Sequence, residues 1–175
     1  MRKVMKNTML LAIVFFCACK NNRKAKLVEV MKQPYSGLVQ QKQVGATIVN
    51  VTYLPLCWEQ VNNKNAERND DEICFKVNVH HLNEADLKKQ SASYGVDTLF
   101  QLVLNRDTLA PIGAERIANG AQHDIEYLVI FERRSWAPVQ QTTFIFKDWL
   151  FTSTRLLFPL DKKFLQKSDS LSCGL

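Results

Sequence analysis

The amino-acid sequence predicts an all-β, mainly antiparallel fold, an immunoglobulin-like or transthyretin-like β-sandwich carrying one or two short helices. Three observations predict it. Apolar residues after Gly45 recur mostly with period two, the mark of half-buried strands. About seven such segments follow one another, with turn residues roughly every eight to twelve positions. No internal repeat or change of composition divides this stretch, so residues 45–175 read as one domain.

The elements follow in order. ATIVNVTYL, residues 46–54, is β-branched and stops at Pro55. LCWEQVNNKNAER has helical spacing at Leu56, Glu59 and Gln60, which predicts a short helix after Pro55 running into a polar loop. In EICFKVNVHH, Ile73, Phe75, Val77 and Val79 share one face, and Glu72, Cys74, Lys76, Asn78 and His80 the other. LNEADLKKQ starts at Asn83 as N-cap with Asp86 three positions on, a capping-box variant and a connecting helix. DTLFQLVLNRDTLAPI reads as a hairpin: Thr98, Phe100, Leu102 and Leu104 on one face, turn chemistry at Asn105-Arg106-Asp107, and a return strand towards Pro111. IEYLVIFER places Ile125, Tyr127, Val129 and Phe131 together with Leu128 and Ile130 behind, the two-sided pattern of a central strand. TTFIFK and TRLLFPL add two strands, closing near Pro159, and Phe144, Phe146, Phe151 and Phe158 are core candidates.

The N-terminus is of another kind. Arg2, Lys3 and Lys6 precede an uncharged run from Asn7 to Cys19. A membrane span needs about 20 apolar residues, so this shorter run suits the apolar part of an export signal. Residues 19–44 are polar, basic and glutamine-rich, and read as a flexible tether ending in an early edge strand. The formal net charge of +6 is concentrated here. Lys20, Arg23, Lys24, Lys26 and Lys32 face a single Glu29, whereas fifteen Lys and Arg meet sixteen Asp and Glu after Lys32. A nucleic-acid reader carries its basic patch on the folded domain, so nucleic acid is not an expected partner. Anionic headgroups attract such a tail by about 1 kcal/mol per residue near the surface.

Beyond the N-terminus the chemistry is sparse. His80 and His81 are adjacent in a predicted strand, so their side chains face opposite ways and cannot chelate together. His123 stands near Asp124 and Glu126, but a metal would need a further ligand brought in by the fold, and none is expected. There is no GxSxG elbow, Gly-rich phosphate loop or HExxH, and Asp70-Asp71-Glu72 falls in a polar loop. No catalytic residue or cofactor is expected. Cys57 and Cys74 enclose sixteen residues and form a candidate disulfide worth about 3 kcal/mol on chain-entropy grounds; Cys173 can pair with either. Arg133, Arg134 and Trp136 form the most interaction-like stretch, since Arg and Trp are enriched at interface hot spots. The ordinary role for Trp136, Trp58 and Trp149 is capping the core.

Phe16-Cys17-Ala18-Cys19 resembles a bacterial lipobox, whose cysteine is diacylated and becomes the first residue of the mature protein. Ala18 fits the position before the cut, which favours Cys19 over Cys17 and makes residues 1–18 the signal peptide. Two or three acyl chains, at about 0.8 kcal/mol per buried methylene, anchor stably. Together with VTYLP, DTLFQLVLNRDTLAP and IEYLVIF, this layout resembles small lipoproteins of the Bacteroidota type with a β-sandwich domain. Surface-displayed members of that group carry acidic residues after the cysteine. Here KNNRK has the opposite sign, and the resemblance implies an outer-membrane lipoprotein facing the periplasm. The expected function is a membrane-tethered protein-binding or assembly module with an envelope protein as partner. The chain is similar in size, tether and sandwich to the outer-membrane lipoprotein of type VI secretion. The alternatives are a cell-envelope enzyme or inhibitor, and a small-ligand or metal-binding lipoprotein.

Overall fold

The computed structural model describes residues 23–62, 70–81, 95–118, 124–136 and 139–173. In chain order these form α1 (residues 23–32), β1 (Val39–Val44), β2 (Thr47–Leu54), α2 (Trp58–Asn62), β3 (Glu72–His81), a 3-10 turn (Val96–Leu99), β4 (Phe100–Leu104), β5 (Asp107–Leu109), β6 (Gly113–Ile117), β7 (Asp124–Glu132), β8 (Thr142–Asp148), β9 (Thr154–Leu160) and α3 (Lys162–Ser172). The strands make two sheets, ordered β1-β2-β3-β7-β6 and β5-β4-β8-β9, with every pairing antiparallel. The fold is the expected all-β sandwich. The chain changes sheet after β3, between β5 and β6, and after β7.

Alternation decides which side chains meet. In the five-stranded sheet, Val49, Val51 and Tyr53 of β2, Ile73 to Val79 of β3 and Ile125 to Phe131 of β7 present every second residue inward, all buried. In the four-stranded sheet the register lines up Phe158, Phe144, Leu102 and Leu109 across β9, β8, β4 and β5. Phe144 joins the two layers. Its ring lies 4.6 Å from Phe75 and 6.1 Å from Phe131 in the opposite sheet, and 5.9 Å from Phe100 in its own. Such offset and edge-to-face pairs contribute about 0.5–1.5 kcal/mol each beyond area burial.

Several expectations need correction. Residues 23–44, read as tether, fold into the domain from α1 onward. Leu27, Val30 and Met31, at helical spacing, are buried in the core, and Leu38 is fully buried. Gly45, taken as the domain's start, is instead the left-handed residue (φ 57°) of the β1–β2 hairpin. Thr98 does not share the face of Phe100, because Val96–Leu99 is a 3-10 turn that leaves it exposed, its hydroxyl donating to the Gly95 carbonyl at 2.6 Å. β6 and α3 join the expected elements. The connecting helix placed at Asn83 and the lipobox cysteine Cys19 lie outside the described residues, as does His123.

One side of the sandwich is closed by the segment between α1 and β1 together with the start of β1. Gln40 Nε2 donates to the Pro159 carbonyl at 2.9 Å and the Asp161 amide to the Ser36 carbonyl at 3.1 Å, joining the edges of the two sheets. Gly37 makes the approach possible: it has φ 70°, and a Cβ there would run into the Pro159 carbonyl. Gly45 has a similar φ but open space around it. Gly37→Ala should therefore lose more stability than Gly45→Ala. Left-handed strain costs both about 1–2 kcal/mol, and Gly37→Ala adds a backbone clash of at least about 1 kcal/mol, read as the difference in urea-unfolding free energy.

Candidate functional site

The outer face of the five-stranded sheet is graded along its strands. Cross-strand partners share a face, so its side chains form rows. Gln43, Ile48, His80 and Asp124 make one row, with His80 Nδ1 2.7 Å from Asp124 Oδ1. Gln41, Asn50, Asn78, Glu126 and Ile117 make the next. Lys76 then pairs with Glu126 at 3.5 Å and stands beside Leu128. The next row, Leu54, Cys74, Ile130 and Gly113, carries no charge, and beyond it Glu72 and Glu132 end the face.

Leu54, Cys74 and Ile130 of that row, with Leu128, are the floor of a cleft of about 380 Å³. Pro55 ends β2 and turns the chain, the Trp58 amide donates to the Pro55 carbonyl at 2.8 Å, and α2 stands over the floor as a wall. Trp58, 37% exposed, contributes to the wall. Glu59 and Glu72 are the only charged side chains among the described lining residues. The Cys74 thiol is pushed up to about 11, first by burial and then by the charges of Glu72 and Glu59, against a smaller pull from Arg133. It is therefore a poor nucleophile at neutral pH.

The wall is fastened from behind by α3. Asp161 caps this helix, its side chain accepting from the Lys163 amide at 2.7 Å. Asp169 Oδ1 accepts from the Tyr53 hydroxyl at 2.6 Å and from the Leu56 amide at 2.9 Å, and Oδ2 accepts from Arg133 Nη1 at 3.0 Å. Arg133 Nε donates to the Glu72 carbonyl at 3.0 Å. The Cys57 amide donates to Ser172 Oγ at 3.3 Å, and Cys57 is disulfide-bonded to Cys173, with Cα atoms 4.9 Å apart. Burial opposes the charge of Arg133, yet the acidic neighbours Tyr53 and Asp169 outweigh it and raise its pKa. Tyr53 is held neutral well above its ordinary range, chiefly by burial and then by the Asp169 charge.

The predicted site residues are thus redistributed. Cys57 pairs with Cys173, not Cys74, because Leu54 and Cys74 are register partners within the sheet while α3 carries Cys173 to the start of α2. Cys74 stays a free thiol in the cleft. Arg133 is not available for interaction: with 14% of its side chain exposed, it is spent on Asp169. Arg134 is at the surface between Glu132 and Asp107, at 3.9 and 4.0 Å. Trp136 packs against the core, as the capping role requires, whereas Trp58 and Trp149 are exposed. Sequence reasoning missed Tyr53 and Asp169 entirely, and it recorded Leu128 and Ile130 only as the back of a central strand. Among the described residues no His, Cys, Asp and Glu cluster could hold a metal, and no helix is long and apolar enough to cross a membrane. No protein-family model matches the chain, nor does any curated protein or solved structure.

Two predictions follow from the fastening. Asp169→Ala leaves a buried guanidinium unpaired and should cost about 3–5 kcal/mol, whereas Tyr53→Phe should cost about 1 kcal/mol. Adding Arg133→Met to Asp169→Ala should recover part of the loss in urea titrations. The second concerns alkaline pH. The unfolded chain releases the Cys74 proton near its ordinary 9.0 and the Tyr53 proton near 10.0, while the folded chain holds both to higher pH. Tyr127, raised to about 12 by burial, acts in the same direction. The unfolded state then binds fewer protons, so stability present below pH 9 drains as pH rises, by at most about 1.4 kcal/mol per pH unit and group. Urea midpoints should be level up to pH ~8.5 and fall above it, and Cys74→Ala should remove the part between 9 and about 11.

Proposed function

We propose that this protein is an envelope lipoprotein, anchored through Cys19, whose β-sandwich binds a protein partner in the cleft beneath α2 and so serves the assembly of an envelope complex. The observation that carries the reading is the cleft itself. An apolar floor on a sheet face that also carries His80, Asp124, Glu126 and Lys76 is bounded by a helix of only five residues, and that helix is braced by a disulfide and by Asp169. A short helix has little stability of its own, so its position comes from these tertiary bonds. A wall held in this way is preorganised, and preorganisation lowers the entropy lost on binding. The Cys57–Cys173 disulfide also suits an oxidising compartment such as the periplasm. A cleft of about 380 Å³ is at the small end for ligand sites and accommodates one or two large side chains of a partner.

Site-specific photo-cross-linking in intact envelopes tests this reading. A benzoylphenylalanine in place of Trp58 should give one discrete adduct, and the same group in place of Trp149, on a turn of the other sheet, should not. Leu128→Arg, which fills the floor, should abolish the adduct, and Cys19→Ser should weaken it by removing the anchor. An adduct indifferent to Leu128→Arg, or equal from both positions, overturns the proposal.

A further inference from the structure

The charge of the cleft identifies the chemistry of what enters it. Among the described residues its lining holds Glu59 and Glu72 and no Lys, Arg or His. Among the described residues the cations of the neighbouring strand positions are engaged elsewhere: Lys76 with Glu126 at 3.5 Å, Arg133 with Asp169 at 3.0 Å, and Arg134 with Glu132 at 3.9 Å. The lining therefore presents two carboxylates beside an apolar floor of Leu54, Leu128 and Ile130, with the partly exposed Trp58 at the wall. The same two carboxylates act on Cys74 at the floor, where both raise its pKa, so their field reaches the place an occupant would sit.

Resting on the reading of the cleft as a protein-binding site, we infer that its occupant is a peptide segment of an envelope protein bearing an aliphatic or aromatic anchor flanked by lysine or arginine. The anchor displaces water from the Leu54–Ile130 floor, which is the dominant favourable term. The flanking cation meets Glu59 or Glu72 across a low-dielectric edge, and an arginine or lysine can also lie against the face of Trp58. An acidic flank would bring like charges together and be rejected, so the two glutamates select as well as attract.

Methyl NMR on the mature lipoprotein in zwitterionic nanodiscs tests the inference, with the capped peptides Lys-Leu-Phe-Leu-Lys and Glu-Leu-Phe-Leu-Glu as probes. The cationic peptide should shift the methyls of Leu54, Leu128 and Ile130, and bind about tenfold more tightly than the acidic one at low salt. Glu59→Gln with Glu72→Gln should cut the cationic peptide's affinity about fivefold, and about 1 M salt, with a Debye length of ~3 Å, should erase most of the difference. Equal shifts from both peptides at these methyls would overturn the charge selection while leaving a protein-binding cleft standing. Shifts confined to other methyls, or no shifts, overturn the inference, and the cross-link from Trp58 then decides separately whether the cleft binds a partner at all.

Discussion

Asp169 gathers on two oxygens the hydroxyl of Tyr53, the amide of Leu56 and the guanidinium of Arg133. Those donors belong to the end of β2, the approach to α2 and the residue that follows β7, while the acceptor belongs to α3. The β2–β3–β7 ladder joins the strands, but no ladder reaches the approach to α2 or α3. Arg133 extends the network to the start of β3, through its side chain on the Glu72 carbonyl and its amide on the Asp71 carbonyl at 2.7 Å. The position of α2, and so the existence of the cleft, depends on this carboxylate. The sheets are joined separately by Phe144 and its neighbours, whose cluster meets the network through the Tyr53 ring, 5.6 Å from Phe75.

Placing a charged pair where 14% and 12% of the side chains are exposed has a cost of several kcal/mol per ion in lost hydration. The three donors on one carboxylate offset much of it, and an apolar substitute of equal volume would be competitive in stability alone. What an apolar contact lacks is direction. The Leu56 amide must point at Oδ1, and that orientation sets where the chain turns into α2. The disulfide fastens the same two helices covalently. Asp169, Ser172 and Cys173 lie on one face of the last turn of α3, at spacings of three and four, and each holds the segment from Leu56 to Cys57.

β2, β3, β4 and β7 were legible because one face of each is buried and the other is not, so period two survives in the sequence. β3 is the clearest: Ile73, Phe75, Val77 and Val79 are all fully buried. The hairpin at Asn105 was legible too, since Asn tolerates its φ of 57°, and its side chain also accepts from the Gln140 amide at 2.8 Å. α3 was not legible for a physical reason. Its buried stripe is Leu165, Ser168, Asp169 and Ser172, at correct helical spacing but mostly polar, so a search for apolar periodicity passes over it. Ser168 and Ser172 are tolerated inside because their hydroxyls donate to the Leu165 and Asp169 carbonyls, both at 2.9 Å. α1 did carry a readable signal in Leu27, Val30 and Met31, which the surrounding basic residues masked. For the cleft, the trace in the sequence was the second apolar face of IEYLVIFER. Leu128 and Ile130 meant that something covers the back of that strand. Which helix does so depended on a disulfide and a buried carboxylate that spacing alone does not assign.

A β-sandwich can offer a partner its edges or its faces, and here the edges are taken up. Edge strands are natural sites for adding another strand unless they are blocked. On the side of β1 and β9, Gln40 and Ser36 bond across to Pro159 and Asp161, and Lys42 lies 5.4 Å over the Phe158 ring. Pro159 itself removes a donor from β9. On the other side, β5 is three residues long, and the chain leaves it directly for β6, against which the 3-10 turn packs. Recognition by strand addition is therefore disfavoured by the same contacts that close the core. What is left is a face, and on the five-stranded sheet the apolar row of Leu54, Cys74 and Ile130 lies between Lys76 on one side and Glu72 and Glu132 on the other, beneath a helix that two fastenings hold in place.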